Sequence, residues 1–355
     1  MTGCADIQQV VPVENQTERL ADVEYVEPSA ERKIEPGQQV DSPVFPPPGE
    51  WIVQRLTDRD YWLYADAYSV TAHVGDEGVL LVDAPYFHTV DGLFGAVERF
   101  ADLPVVAVVY THSHADHVGA TRRIQAAMRE RGVELRIIAS ERCRREISWY
   151  RNQVAAPTEV VADGHGSFEF EGRVFKHVTP VEWAHSGADS YTITPEGVIS
   201  FDDFVQAGCL PQSNVSNVQN MNGYIEFVRR VAGETSWQFA NFGHVNIGSR
   251  ADVERTLDYF RDIHETCFQM LSELWGIEAF GQLPKEMLGN QAVVTRNAMD
   301  MAVGAIAERL EEKWSHIPHF EVARDHVERV MCEIGMYYDI TELSGGKPEF
   351  TPLAP

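Results

Sequence analysis

The chain has 355 residues, 44% of them hydrophobic, with 29 basic against 54 acidic side chains and a net charge of -25. That length supports a large core in one big domain with appendages, while so acidic a surface repels nucleic acid and anionic membranes. The five cysteines (Cys4, Cys143, Cys209, Cys267, Cys332) are scattered, odd in number and unpaired in spacing, and no apolar run is long enough to span a bilayer; the expectation is reduced thiols in a cytoplasmic protein.

Residues 1–49 are polar and acidic and end in SPVFPPPG, which reads as an extended N-terminal arm rather than a folding unit. It can lie along its own body or wrap a neighbouring subunit. Residues 50–249 change character. WLYADAYSVTAHVGDEGVLLVDAP (62–85) predicts strands around a GDEG turn, TVDGLFGAVERFA a helix, and LPVVAVVY (103–110) a short buried strand. GATRRIQAAMRERG (119–132) predicts a helix with a glycine stop. ELRIIAS and ERCRREISWYRNQV repeat strand and helix; EVVADGHGSFEFEGRVFKHVTPVE, SYTITPEGVISFDD and WQFANFGHV predict further strands. Strands at both ends with helices interspersed predict two sheets covered by helices. Residues 250–355 carry apolar residues at helical spacing, such as Leu257, Phe260, Cys267 and Leu271, and predict a helical extension that caps the body or assembles subunits. His264 and His326, on these helices, read as core or surface residues.

Between the buried strand and its helix stands THSHADHVGA, residues 111–120, with His112, His114, Asp116 and His117 in one turn of chain. A His/Asp cluster at the carboxyl end of a strand marks a metal or catalytic site better than a solvated loop. His112 and His114, two apart, point the same way in extended chain, whereas Asp116 and His117 follow the turn and can face a second position. Imidazole with carboxylate suits zinc, iron or manganese. More ligands stand where other strands run out: His185 in EWAHSGADSYTI, Asp202 and Asp203 in VISFDDFVQAG, and His244 in FANFGHVNIGSR.

This ordered set, H-x-H-x-D-H, then His, then Asp after a hairpin strand, then Gly-His, resembles the metallo-β-lactamase superfamily over about residues 60–260, with GVLLVDAP supplying that family's early aspartate as Asp83. The resemblance implies an α/β fold, the αββα sandwich of that type, with the arm and the helical extension outside it. It implies two zinc ions per subunit: one held by His112, His114 and His185, the second by Asp116, His117 and His244, with Asp203 bridging. The family has Gly-Asp where this chain has Asp202-Asp203, which puts the local backbone in question. Asp83 is expected to support the ligand loops without binding metal.

Two ions 3.5–4 Å apart hold a water and lower its pKa from about 15.7 toward 7, so a hydrolase is expected, with Asp116 and Asp203 in the catalytic centre. No serine or cysteine nucleophile is needed. The substrate expected is a small, uncharged organic molecule. Tyr86, Phe87 and Trp183 are candidate pocket residues, and the Asn/Gln/Ser-rich loop 206–223 reads either as a binder of polar groups or as ordinary surface. The arm, body and helical tail together also resemble the subunits of zinc-dependent nitroaryl ether hydrolases, the dinitroanisole O-demethylase type, which implies methanol release and a homo- or hetero-oligomer, with a related second subunit in the latter case. The alternatives are an ester, lactone or thioester hydrolase, a sulfur dioxygenase-like iron enzyme, and a non-catalytic partner subunit; penicillin hydrolysis ranks low.

Overall fold

A computed structural model describes residues 23–42, 46–151, 153–180, 183–274 and 291–337. Two strands of the arm, β1 (Tyr25–Val26) and β2 (Gln39–Val40), pair in parallel. Ile34 and Val40 are buried there with Leu56, Trp62, Phe239 and Ile247, so this part of the arm lies along its own body. The side chain of Asn246 donates to the Val40 carbonyl at 2.6 Å and pins it.

A seven-stranded sheet follows in chain order: β3 (Ile52–Arg55), β4 (Asp60–Ala65), β5 (Tyr68–Val74), β6 (Val79–Val82), β7 (Val105–Val109), β8 (Arg136–Ser140) and β9 (Glu159–Val161). Its first four strands are antiparallel and β6 to β9 are parallel. The second sheet holds β10 (Gly164–Phe170), β11 (Arg173–Thr179), β12 (Tyr191–Ile193), β13 (Val198–Ser200), β14 (Phe239–Asn241) and β15 (Ile247–Gly248), again in chain order. Here β13 and β14 run parallel.

Side chains of a strand alternate in direction, and both faces of the first sheet are apolar. Leu80, Val82, Ala107 and Val109 pack against Phe168, Phe170 and Phe175 of the second sheet. Their neighbours Leu81 and Val108 point the other way, toward Leu93, Ile124, Met128 and Cys143. Those four come from helices α1 (Val90–Val97), α3 (Thr121–Glu130) and α4 (Glu141–Trp149); the single turn α2 (Ala115–Val118) precedes α3. The outer face of the second sheet is covered by α5 (Met221–Gly233), α6 (Arg250–Leu274), α7 (Gln291–Trp314) and α8 (Ala323–Tyr337), which share one apolar cluster with Ile199, Phe201 and Phe242. The layers are helix, sheet, sheet, helix, and the described part of the C-terminal region is helical and packed on the body.

The chain reading left α5 out. Its first turn lies inside the Asn-rich stretch 206–223, whose composition reads as loop. The segment β9 belongs to the first sheet, beside β8, although its sequence runs on into the hairpin of the second. No described helix is long and apolar enough to cross a membrane. Cys143, Cys209, Cys267 and Cys332 are free thiols.

Candidate metal centre

Strands β6, β7, β13 and β14 all end at the same edge of the sandwich, and the chain leaving each carries a polar side chain into one small volume. His112 and His114 follow β7; Asp116 and His117 sit on α2; His185 lies on the loop before β12; Asp203 follows β13 and His244 follows β14. Asp203 is the centre. Its Oδ2 lies 3.1 Å from Nε2 of His117, 3.1 Å from Nε2 of His185 and 3.8 Å from Nε2 of His112. Its Oδ1 lies 3.0 Å from Nε2 of His244. His185 Nε2 is 3.0 Å from Nδ1 of His114. Ligand atoms of His112, His114, His185 and Asp203 fall within 4.8 Å of one another, and so do those of His117, Asp203 and His244. Asp116 stands at the rim of the second group, its Oδ2 3.7 Å from His117 Nε2.

The donor set fits a cation. Nε2 of His112 is buried without a hydrogen-bond partner. A buried imidazole nitrogen left so is costly unless something takes its lone pair. Burial and the neighbouring imidazoles of His114, His117 and His185 hold His112 well below the usual histidine range. Burial opposes the charge on Asp203, yet His117 and His185 keep its carboxyl well below the usual carboxylate range. Asp203 in turn raises His117 and His185 above the usual histidine range, so in the absence of an ion protons offset its charge there; imidazoles around a fixed carboxylate are the nitrogen and oxygen ligands that a divalent ion takes in their place.

A surrounding shell orients the rings. Asp83 accepts from the Thr111 amide at 2.9 Å and from its hydroxyl at 2.6 Å, and that hydroxyl is 3.0 Å from Nδ1 of His112. His244 donates from Nδ1 to the Ala67 carbonyl at 2.7 Å, leaving Nε2 to face Asp203. His117 donates from Nδ1 to Asp202 Oδ2 at 2.8 Å. Asp202 therefore has a partner of its own and points away from the side that Asp203 faces. The backbone question raised by Asp-Asp resolves simply. Asp203 carries the left-handed φ of 69°, which Asp tolerates better than most residues, and Asp202 does not.

Three partners escaped the chain reading. Glu146 of α4 accepts from Ser113 Oγ at 2.8 Å and from the Gly187 amide at 3.0 Å, tying the His112–His114 loop to the His185 loop. Tyr68, at the start of β5, donates its hydroxyl to Asp116 Oδ2 at 3.2 Å, and its ring centroid lies 4.6 Å from His244. Glu333 of α8 accepts from the amides of Met221 and Asn222. None of these has a local signature: each acts across a long stretch of chain.

Of the three pocket candidates, Tyr86 is 42% exposed, Phe87 49% and Trp183 60%. Tyr86 and Phe87 form an open rim, and Trp183 is exposed on the loop before His185. Phe87 stands 5.2 Å from Tyr68, and Tyr86 4.2 Å from Phe87, so an aromatic series runs from His244 to the surface. Arg123 donates to the carbonyls of Tyr86 and His88 and pins that rim loop. The loop 206–223 is partly covered: α8 holds it at Gln212, Val218, Met221 and Asn222, while Ser213, Asn214, Asn217 and Gln219 stay exposed. His264 and His326 are buried and bonded within the helical layer, as expected. A further group, Asp60, His73 and Glu196, lies elsewhere. It is explained internally, since Asp60 accepts from His73 at 2.7 Å and from Thr57 and Thr194.

Residues 61–191 match the model of the metallo-beta-lactamase superfamily. Similar solved structures include VMB-1, at 16% identity over 59% of this chain and 96% of that one, TM-score 0.49. A beta-lactamase domain protein from Burkholderia ambifaria is similar at 15% identity over 64% of this chain and 81% of its own, TM-score 0.48. A flavo di-iron protein from Thermotoga maritima is similar at 17% identity over 60% and 62%, TM-score 0.47. Among curated proteins there is no significant match.

Proposed function

We propose that this chain, whose residues 61–191 match the model of the metallo-β-lactamase superfamily, is a member of it and a hydrolase that uses two zinc ions on a small uncharged organic substrate. The observation that carries the reading is Asp203, whose two oxygens face different sets of histidines, Oδ2 toward His112, His117 and His185 and Oδ1 toward His244. A carboxylate so placed can bridge two ions.

His112, His114 and His185 would hold one ion; Asp116, His117 and His244 the other; Asp203 would be shared. Bound there, such a pair supplies an activated water at neutral pH and polarises the bond to be cleaved. The chain's own part is orientation. Asp202 and the Ala67 carbonyl fix the tautomers of His117 and His244, and the Asp83–Thr111 pair holds His112 in place. Tyr68 holds Asp116 and leads from the centre to the aromatic rim. That series of rings favours a planar or apolar group on the substrate. The narrower form of the proposal is cleavage of an activated nitroaryl methyl ether; the second reading is acyl ester hydrolysis.

The test is zinc-loaded protein with a dinitrophenyl methyl ether and, separately, the matching dinitrophenyl acetate, each with and without chelator. Chelator-sensitive release from the ether supports the narrow form, and release from the ester alone makes the protein an acyl hydrolase. Purified protein that retains no transition metal after dialysis against zinc overturns the reading.

A further inference from the structure

Helix α8 places four polar side chains on one short segment, residues 212–222. His326 donates from Nε2 to the Gln212 carbonyl at 2.9 Å, and Asp325 accepts the Ser213 hydroxyl. Arg329 donates to the Val218 carbonyl. Glu333 accepts the amides of Met221 and Asn222, the latter at 3.0 Å. Positions 325, 326, 329 and 333 lie on one face of a helix. The segment they grip is strained despite its own turn hydrogen bonds: Asn214, Val215, Ser216 and Asn217 all take φ between 48° and 62°, a left-handed run that a β-branched Val disfavours.

The far end of this segment supports the metal centre. The amides of Gln219 and Asn220 both donate to the carbonyl of Ala184, at 2.9 and 3.0 Å, and Ala184 precedes His185. Gly223 passes so close to the Trp183 carbonyl that a Cβ there would lie 1.7 Å from its oxygen. Helix α5 begins at this point. Its first three amides are taken by Glu333, again by Glu333, and by the Asn220 side chain at 2.9 Å. A carboxylate at a helix N-terminus is favoured both by those donors and by the helix dipole.

We infer that Glu333 is a positioning residue for the metal centre: by fixing the start of α5 it holds the Ala184 carbonyl, and with it His185, in place. The inference rests on the proposed role of His185 as a metal ligand. Removing the carboxylate leaves the buried amide of Met221 and the half-buried amide of Asn222 without acceptors, and the strained segment then moves the loop it supports.

The experiment is cobalt titration of the full-length, metal-free chain, followed by its visible spectrum, together with hydrogen exchange at residues 184–186. The proteins are wild type, Glu333→Ala, Glu333→Gln, His185→Ala, and Glu328→Gln, whose carboxylate pairs instead with Arg296 of α7 at 2.6 Å. Wild type should show two binding events, one of them abolished in His185→Ala. Glu333→Ala should weaken that same event about tenfold, alter its ligand-field bands and speed exchange at 184–186. The other event should stand, and Glu328→Gln should match wild type. Glu333→Gln keeps one oxygen acceptor and should fall between; should the alanine variant fail to fold, it carries the comparison. A folded Glu333→Ala that titrates and exchanges as wild type overturns the inference alone. Wild type that takes up no cobalt overturns the metal reading, and the inference with it.

Discussion

Asp202 accepts the Nδ1 proton of His117 at 2.8 Å, with both side chains closed off from water. That bond leaves Nε2 of His117 to face Asp203, 3.1 Å from its Oδ2. The contact depends on Gly243, which has φ 84° and whose added Cβ would lie 2.6 Å from the Asp202 carboxyl carbon. Asp202 also lies against Asp83, whose carboxyl is pushed well above the usual range by burial and by Asp202 itself. The two carboxyls and His117 make one buried unit beneath the centre. Asp202→Ala should lower zinc affinity at the His117 half-site by about 10–100-fold, and destabilise the metal-free fold by about 1–3 kcal/mol through the unsatisfied imidazole. Competition against a zinc chelator and denaturant titration of the metal-free protein measure the two effects separately. Unchanged zinc affinity would mean that His117 needs no orienting partner.

Tyr68→Phe keeps the ring against His244 and removes the hydroxyl that Asp116 accepts. The expected cost to metal binding at the Asp116 half is about 0.5–1.5 kcal/mol, the usual worth of one hydrogen bond. Tyr68→Ala should cost more, because the aromatic path to Phe87 is also lost. Calorimetric zinc titration of the two variants orders these effects; equal losses would assign no role to the hydroxyl.

Asp203 belongs to both ligand groups, whereas Asp116 stands at the rim of one. Zinc at a thousand times its dissociation constant should stabilise the wild-type fold by about 4.1 kcal/mol for each ion bound. Asp203→Ala should lose most of that gain, and Asp116→Ala the part due to one ion. Melting curves with zinc and with chelator read this directly. A zinc-dependent shift that survives in Asp203→Ala would remove the bridging role.

Burial holds His177 at about 4, and its Nδ1 bonds Thr192 at 3.0 Å. In the unfolded chain the same ring takes a proton near 6.5. The folded pKa is the lower one, so the stabilising contribution is complete above pH 6.5. It is lost as pH falls from 6.5 toward 4, at about 1.4 kcal/mol per pH unit. His177→Asn, which keeps a polar group near Thr192, should flatten the pH dependence of unfolding by that slope. Denaturant titrations of both proteins at pH 7.5, 6 and 5 show it; identical slopes would mean that His177 is protonated in the fold.

What the chain alone determined is the local part of the site. LPVVAVVY is apolar on both faces because it is buried on both. Candidate ligands were legible from their place after strand ends: His112, His114, Asp116, His117, His185 and His244, with Asp202 or Asp203, the choice of Asp203 coming from the family resemblance. The body's strands were legible for the same reason: alternation and turn residues are properties of neighbours in sequence. The start of α5 was not, because its amides are satisfied by Glu333, a residue 112 and 111 positions away. Which residues of the polar loop 206–223 are surface and which are held was set only where α8 packs on it. Tyr68, Glu146 and the partner of Asp202 were hidden likewise, since a hydrogen bond across the sandwich leaves no pattern along the chain. Tertiary structure decided which polar groups meet, because burial forces each of them to find a partner in space, wherever that partner lies in sequence.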